Sequence, residues 1–467
     1  MDDYRLIADG IAADITSGRL RPGQQLPTQR AFARSRGIAP STAGRAYREL
    51  VRRGLTVGEV GRGTFVRAGP GTGDGRVALA EPAAAPVDLE LNYPTAPGQA
   101  ELLAAGLAPL LRADALGEAL RPVGAAGTGA ARRAFAGLLT RDDWEVRADR
   151  LLFAGNGRQA VAGALAALVP PGQRLGVEAM TYPVVKAAAE RLGIRLVPLA
   201  VDEYGLLPGA VAAAHRAAPL RAVYVQPRLH NPLGVSLPAE RAAALAEELR
   251  RLDLPVVEDA IWSFLRPELT PLAALAPERT VLVDSLSKRL APGLTTGFAV
   301  VPDGLRERVA GALRSGGWAP SGFAMEAAVR WIGDGTLAVV EAAKRADAAA
   351  RQALAREVLA GPGSGAGPGS TSGSTWRRPA GQRLRADPAS YYLWWELPRA
   401  WRAETFVAAA ARAGISLTPA SAFAVDPRST PSAVRVGLAS PPLPELARAL
   451  ETLARIAGGG EQPTADS

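Results

Sequence analysis

The chain has 467 residues, a formal net charge of +9 and no cysteine, which excludes a disulfide framework and thiolate metal sites. Its length exceeds what one ordinary core supports, so at least two domains are expected. No apolar run approaches the roughly 18 residues of a membrane-spanning helix, and the polar, acidic start MDDYRLIADG is unlike a secretory signal; a cytoplasmic protein with no membrane partner is the expectation.

The first segment reads as three helices and a hairpin. Leu6, Ile7, Ile11 and Ile15 recur at helical spacing up to Gly18. TQRAFARSRG is a short helix capped by Thr28, and STAGRAYRELVRRG, after Pro40, is a longer one with Ser41 as the expected cap. LTVGEVGRGTFVRA gives two short strands joined through glycines. The pattern predicts a winged helix-turn-helix over residues 1–67. That segment holds 12 arginines against six acidic residues, so +6 of the total +9 is concentrated there, as a polyanion partner requires. On double-stranded DNA, Ser41, Thr42 and Arg45 are expected near base edges, and Arg48, Arg52, Arg53 and the wing's Arg62 on phosphates. For any single arginine, a solvated basic face is the alternative.

Residues 68–87 are rich in Gly, Pro and Ala and read as a flexible linker. From about 128 to 302 helical patterns alternate with the apolar runs RLLFAG, RLGVEA, IRLVPL, AVYVQP, LPVVEDA, TVLVDS and GFAVVP, which predicts a mostly parallel sheet covered on both faces. With its N-terminal segment this larger domain is expected to span 88–302. Residues 303–458, with YYLWWEL and AVRVGLA, suit a smaller α+β domain. The glycine-rich run 360–381 reads as a disordered insertion and 459–467 as a disordered tail.

In open α/β sheets ligands gather beyond the carboxyl ends of the strands, and polar residues follow these runs. AGNGRQ turns into a helix whose first amides favour an anion; alone, this is as often an ordinary turn. MTYPVV puts Tyr182 on a loop, where packing is the commoner role. RLHNPLG carries Asn231 before Pro232, a dipeptide that turn chemistry alone explains. LPVVEDA ends at Asp259, and TVLVDS runs into SLSKRLAPGLTTG. Only Lys186, Lys288 and Lys344 among 54 basic residues are lysines, so Lys288 stands out after its strand. His215 and His230 lie apart, which argues against a histidine metal site or a Ser-His-Asp triad.

The order phosphate turn, aromatic, Asn-Pro-x-Gly, post-strand Asp and Ser-x-Ser-Lys resembles the fold-type I aminotransferases that hold pyridoxal 5′-phosphate (PLP). With a winged helix ahead of it, the chain resembles the MocR-type regulators of the GntR family over residues 1–67 and 88–458. The resemblance implies PLP held by Lys288 as a Schiff base, with Asp259 on the pyridine nitrogen. It further implies Asn231 on the phenolic oxygen, Tyr182 on the ring face, and Ser285, Ser287 and the amides of Gly157 and Arg158 on the phosphate. Arg435, in VRVGLA, takes the place of an arginine that binds an amino-acid carboxylate; a strand-edge salt bridge is the alternative.

Several positions depart from the family pattern. Thr295 replaces an arginine that binds the phosphate, which leaves Arg289 or Arg158 to reach in. Ile261 stands for a tyrosine, with Trp262 next; Val123 replaces an aromatic before Gly127 to Arg132, and Leu229 and His230 replace a His-Gln pair. The resemblance implies a DNA-binding regulator whose aminotransferase-like domain senses an amino acid or PLP, in a head-to-tail homodimer. The departures argue against sustained turnover. Two alternatives stay open: an active aminotransferase with an appended DNA-binding domain, and a regulator that has lost PLP.

Overall fold

The computed structural model describes residues 3–17, 19–20, 24–59, 63–66, 85–141, 143–360, 375–377 and 383–458. Arg62, nearly all of the expected linker, most of the glycine-rich insertion and the tail lie outside the described residues.

Helices α1 (Asp3–Thr16), α2 (Gln29–Arg36) and α3 (Pro40–Arg52) precede an antiparallel hairpin of β1 (Thr56–Glu59) and β2 (Gly63–Val66). Thr28 caps α2 as its position predicts, its hydroxyl accepting from the Ala31 amide at 3.2 Å. Ser41 does not cap α3: Pro40 already occupies the first turn, and the residue before it is Ala39, which has no side-chain acceptor. The apolar faces meet in one core of Ala8, Ile11, Leu26, Phe32, Tyr47 and Leu50. The Tyr47 hydroxyl donates to the Pro27 carbonyl at 2.9 Å, which fixes α3 against the turn before α2.

The larger sheet has seven strands: β3 (Leu151–Ala154), β4 (Arg174–Glu178), β5 (Arg195–Leu199), β6 (Ala222–Val225), β7 (Val256–Asp259), β8 (Thr280–Ser285) and β9 (Gly297–Val300). Their order is β3-β9-β8-β7-β6-β4-β5. Only β9 runs against its neighbours. Strands β3, β6, β7, β8 and β9 are buried throughout, as continuous apolar runs covered on both faces must be. Helices α4 (Gly157–Leu168) and α5 (Pro183–Arg191) follow β3 and β4, and the single turn α6 (Leu286–Arg289) follows β8. The chain therefore brings the ends of β3, β4, β6, β7 and β8 to one edge, and the candidate residues come with them.

The division expected at residue 302 does not follow the cores. Helix α7 (Arg306–Ser315) packs Val309 and Leu313 with Val161 and Ala164 of α4 on one face of the sheet. Helix α8 (Gly322–Gly333) packs Met325 and Trp331 with Phe153 and Phe298 on the other. Helix α9 (Thr336–Ala360) belongs to both units: Leu337 and Val340 lie in that second core, Ala355 and Leu359 in the core of the smaller unit. At the other end, Val87–Asp88 pairs with Ile415–Ser416, and Leu89 is buried with Trp395 and Phe406. The smaller unit has a five-stranded sheet in which β10 (Tyr392–Glu396) pairs with β11 (Ala433–Gly437), and β11 in turn with Thr418–Pro419. No helix among the described residues is long and apolar enough to cross a membrane.

Candidate functional site

The turn after β3 has the features of an anion cradle. The Asn156 side chain caps α4 by accepting from the Gln159 amide at 3.0 Å, which leaves the first amides of the helix facing outward. A β-carbon at Gly157 would stand 3.0 Å from Ser285 Oγ, so glycine is what lets this turn approach β8. Ser285 caps α6, and its hydroxyl donates to Ser287 Oγ at 3.1 Å. Ser287 Oγ lies 2.5 Å from Thr295 Oγ1. The residue that replaces the expected arginine thus completes a cluster of three hydroxyls at two helix N-termini.

Of the two arginines considered as substitutes, Arg289 is ruled out. It is buried, with its guanidinium bound to Asp284 at 2.7 Å and Glu341 at 2.5 Å. Arg158 remains: it is exposed in the first turn of α4, and its charge acts on the Tyr182 hydroxyl.

Asp259 ends β7 in a buried position. Its carboxylate accepts from the Tyr224 hydroxyl at 2.6 Å, Gln226 Nε2 at 3.0 Å and the Ile261 amide at 3.1 Å. Burial raises its pKa to about 6, against the pull of those donors. No ion pair among the described residues reaches it. Sequence reasoning missed Tyr224 and Gln226; the signal was a tyrosine hydroxyl and an amide in and just after the otherwise apolar run AVYVQP.

Lys288 sits at the end of α6 with Nζ donating to the Asn92 carbonyl at 2.5 Å. The ammonium lies 4.5 Å from the Tyr93 ring centroid and 5.3 Å from that of Trp262. Burial pulls its pKa down to about 7, assisted by the positive charges of Arg158, Arg435 and Lys344. A lysine brought to neutrality near pH 7 carries a nucleophilic amine.

Arg435 is on β11, an interior strand of the smaller sheet, and forms no ion pair among the described residues, so the strand-edge salt bridge is not what it makes. One Nη donates to Asn231 Oδ1 at 3.1 Å; the other donates to Thr418 Oγ1 at 3.1 Å and to the Glu90 carbonyl. Its Nε is buried with no hydrogen-bond partner among the described residues. Asn231, before a cis peptide bond to Pro232, thereby joins the loop after β6 to the smaller unit. Tyr182 immediately precedes α5; burial raises its hydroxyl's pKa, and Arg158 opposes the rise.

These residues fit PLP. The positive charges of Arg158 and Arg435 both act on Lys288, and among the described residues Asp259 has no ion-pair partner. A ligand that brings negative charge to the arginines and hydroxyls and a protonated ring nitrogen to Asp259 satisfies both. Among the described residues no cluster of His, Asp and Glu suits a metal ion.

On the winged helix, Ser41, Arg45 and Arg48 are exposed along one side of α3 and Thr42 is half-buried. The Arg45 guanidinium lies 4.2 Å from the Tyr4 ring centroid. Arg52 is bound bidentately by Glu49 at 2.6 and 2.7 Å but remains 73% exposed. Arg53 departs from expectation: its side chain is 19% exposed and tied to Glu49 at 2.8 Å and to Asp9, which makes it a strut between α1 and α3 instead of a phosphate contact.

Comparison with known proteins gives two family matches: aminotransferase class I and II over residues 92–453, and bacterial regulatory proteins of the gntR family over residues 3–66. The chain is 28% identical over 456 residues to the uncharacterized HTH-type transcriptional regulator YdeF of Bacillus subtilis, covering 97% of this chain and 94% of that one. It is 32% identical over 160 residues to the HTH-type pyridoxine biosynthesis transcriptional regulator PdxR of Corynebacterium glutamicum, 34% of each chain. Among solved structures it resembles a Pyrococcus horikoshii kynurenine aminotransferase, with a TM-score of 0.70 at 19% identity over 82% of this chain and 92% of that one. At that identity the likeness speaks for the fold alone.

Proposed function

We infer that this chain, which belongs to the aminotransferase class I and II family and carries a gntR-family domain ahead of it, is a DNA-binding transcriptional regulator whose aminotransferase-like unit binds PLP and senses a small ligand. The carrying observation is the meeting of Lys288, Arg158, Arg435 and the cation-free Asp259 beyond the strand ends, in a chain that also presents an exposed basic helix face.

Lys288 would hold the cofactor covalently, Asp259 would face its ring nitrogen, and Tyr182 would cover its ring. The amides of Gly157 and Arg158, with Ser285 and Ser287, would bind its phosphate. PLP would supply an aldehyde carbon open to the Lys288 amine or to a ligand's amine, and an electron-withdrawing ring. Asn231 would hydrogen-bond the phenolic oxygen of PLP, and Arg435 would bind the carboxylate of an amino-acid effector; PLP itself is the other effector the reading allows. Ser41, Thr42 and Arg45 would meet base edges, with Arg48 and Arg52 on phosphates. A cytoplasmic head-to-tail homodimer would place two winged helices on a repeated operator.

The relative PdxR supports the reading by its name, which joins an HTH regulator to pyridoxine biosynthesis. The loss of a phosphate arginine at Thr295 and of a tyrosine at Ile261 favours sensing over turnover. The test is operator binding by wild type and Lys288→Ala, with and without PLP and a panel of amino acids. The wild type acquires a visible absorbance band and changes its DNA affinity with ligand, and Lys288→Ala does neither. Sustained transaminase turnover by the wild type would overturn the regulator-only reading.

A further inference from the structure

Lysine is used only three times among 54 basic residues, and one of the three, Lys344, is completely buried in the middle of α9. Its ammonium donates to the carbonyls of Lys288 at 3.0 Å and Leu290 at 2.5 Å. These are terminal carbonyls of the single turn α6, and that of Leu290 also accepts from Gln99 Nε2 at 3.3 Å. An ammonium there fills the place that the negative end of a helix favours for a cation. Lys186 likewise donates to two carbonyls, those of Ala422 at 2.9 Å and Ala424 at 2.8 Å.

The grip on α6 is double. One helical turn before Lys344, Glu341 holds Arg289, the residue after Lys288, at 2.5 Å, and Asp284 holds the same guanidinium from β8. Lys344 is itself fixed, because the Tyr391 hydroxyl donates to its carbonyl at 2.7 Å and to Asp347 Oδ2 at 2.9 Å. Both sides of Lys288 are therefore anchored to a helix that runs from the large core into the small one.

Charges around the pair come from every packed element. Burial pulls the Lys344 pKa down to about 7, against Glu341 and Asp347 on its own helix, while Arg158 from α4 and Arg435 from β11 face Lys288 together with Lys344.

We propose that Lys344 is a positioning residue for Lys288: by donating to the Lys288 and Leu290 carbonyls it holds the backbone on which the reactive amine is mounted and keeps that amine directed at the cofactor. This rests on the reading of Lys288 as the PLP lysine. The test uses full-length protein freed of PLP and titrated with PLP across pH. Its readouts are the visible absorbance band, the circular dichroism induced in it, and the mass of the Lys288 peptide after borohydride reduction.

In Lys344→Met, which donates to neither carbonyl, PLP capture slows roughly tenfold at every pH, because the amine is no longer held in line with the cofactor. The induced dichroism per bound cofactor also falls. If Lys344→Met does not fold, Lys344→Gln, whose shorter side chain does not reach both carbonyls, carries the same comparison. Unchanged capture and dichroism would overturn the proposal, as would slower capture with unchanged dichroism per bound cofactor, the mark of structural support alone. In either case wild type still captures PLP and Lys288→Ala does not. A wild type that gains no band, or a band that persists in Lys288→Ala, overturns the PLP reading as well.

Discussion

Replacing Asp259 by Asn has opposite effects on the cofactor-free and cofactor-bound chain. The carboxyl is buried and raised from 3.8 to about 6, so between those values the folded chain binds more protons than the unfolded one. Stability therefore falls as pH rises through that window, by about 3 kcal/mol for roughly two pKa units. Asn escapes that loss. It also mismatches the site, since Tyr224, Gln226 and Ile261 present three donors to Asp259 and an amide has a single acceptor oxygen, which costs about 1 kcal/mol. The expected net gain is about 1 to 2 kcal/mol for the cofactor-free variant at pH 7.5, seen as a melting temperature above wild type. At pH 4 the order reverses, because the wild-type carboxyl is then protonated at no cost. With PLP present, the variant loses the anionic partner of the ring nitrogen, a charge-assisted bond of about 1.5 to 3 kcal/mol, and binds roughly ten- to a hundredfold more weakly. Thermal melts at both pH values and a spectrophotometric PLP titration measure these effects. A cofactor-free variant that melts at or below wild type at pH 7.5, or an unchanged PLP affinity, would refute the assignment of Asp259.

Thr295→Arg puts a charged donor beside Ser287 and should tighten PLP binding about tenfold; an unchanged titration would mean that the hydroxyl cluster does not face the phosphate. Gly157→Val fills the gap next to Ser285 and should abolish the visible band while far-ultraviolet dichroism stays the same. For DNA, Arg48→Ala should reduce the salt dependence of operator binding by a slope of about 1. Arg53→Ala should leave that slope in place and instead lower the melting temperature, by about 1 kcal/mol of lost pairing with Glu49 and Asp9; a slope change in Arg53→Ala would return that residue to the DNA face.

Much of this was legible in the chain because the signals are local. Helical spacing, Thr28 before a short helix and a glycine-joined hairpin specify the winged helix within a few residues of each feature. Apolar strand runs that each end in a polar residue specify where a parallel sheet gathers its ligand groups, and the resemblance to fold-type I aminotransferases is what singled out Lys288, Asp259, Asn231 and Ser285 among them. Ser41 was misread for an equally local reason: Pro40 already begins the helix, which puts Ser41 inside it.

Other assignments depended on residues distant in the sequence. Arg289 and Arg158 were equal candidates for the phosphate until Asp284 and Glu341 were seen to hold the first. Arg53 looked like any basic residue on α3 until Asp9, 44 positions earlier, closed on it. The Arg435–Asn231 hydrogen bond joins positions 204 apart, and the value of Lys344 lies in carbonyls 54 and 56 residues away. Sequence alone determined which chemical groups stand at the strand ends, because strand and helix periodicity are set by neighbouring residues. Only the tertiary structure decided which charges are already neutralised and which are left for a ligand, because a buried charge is governed by whatever the fold packs against it.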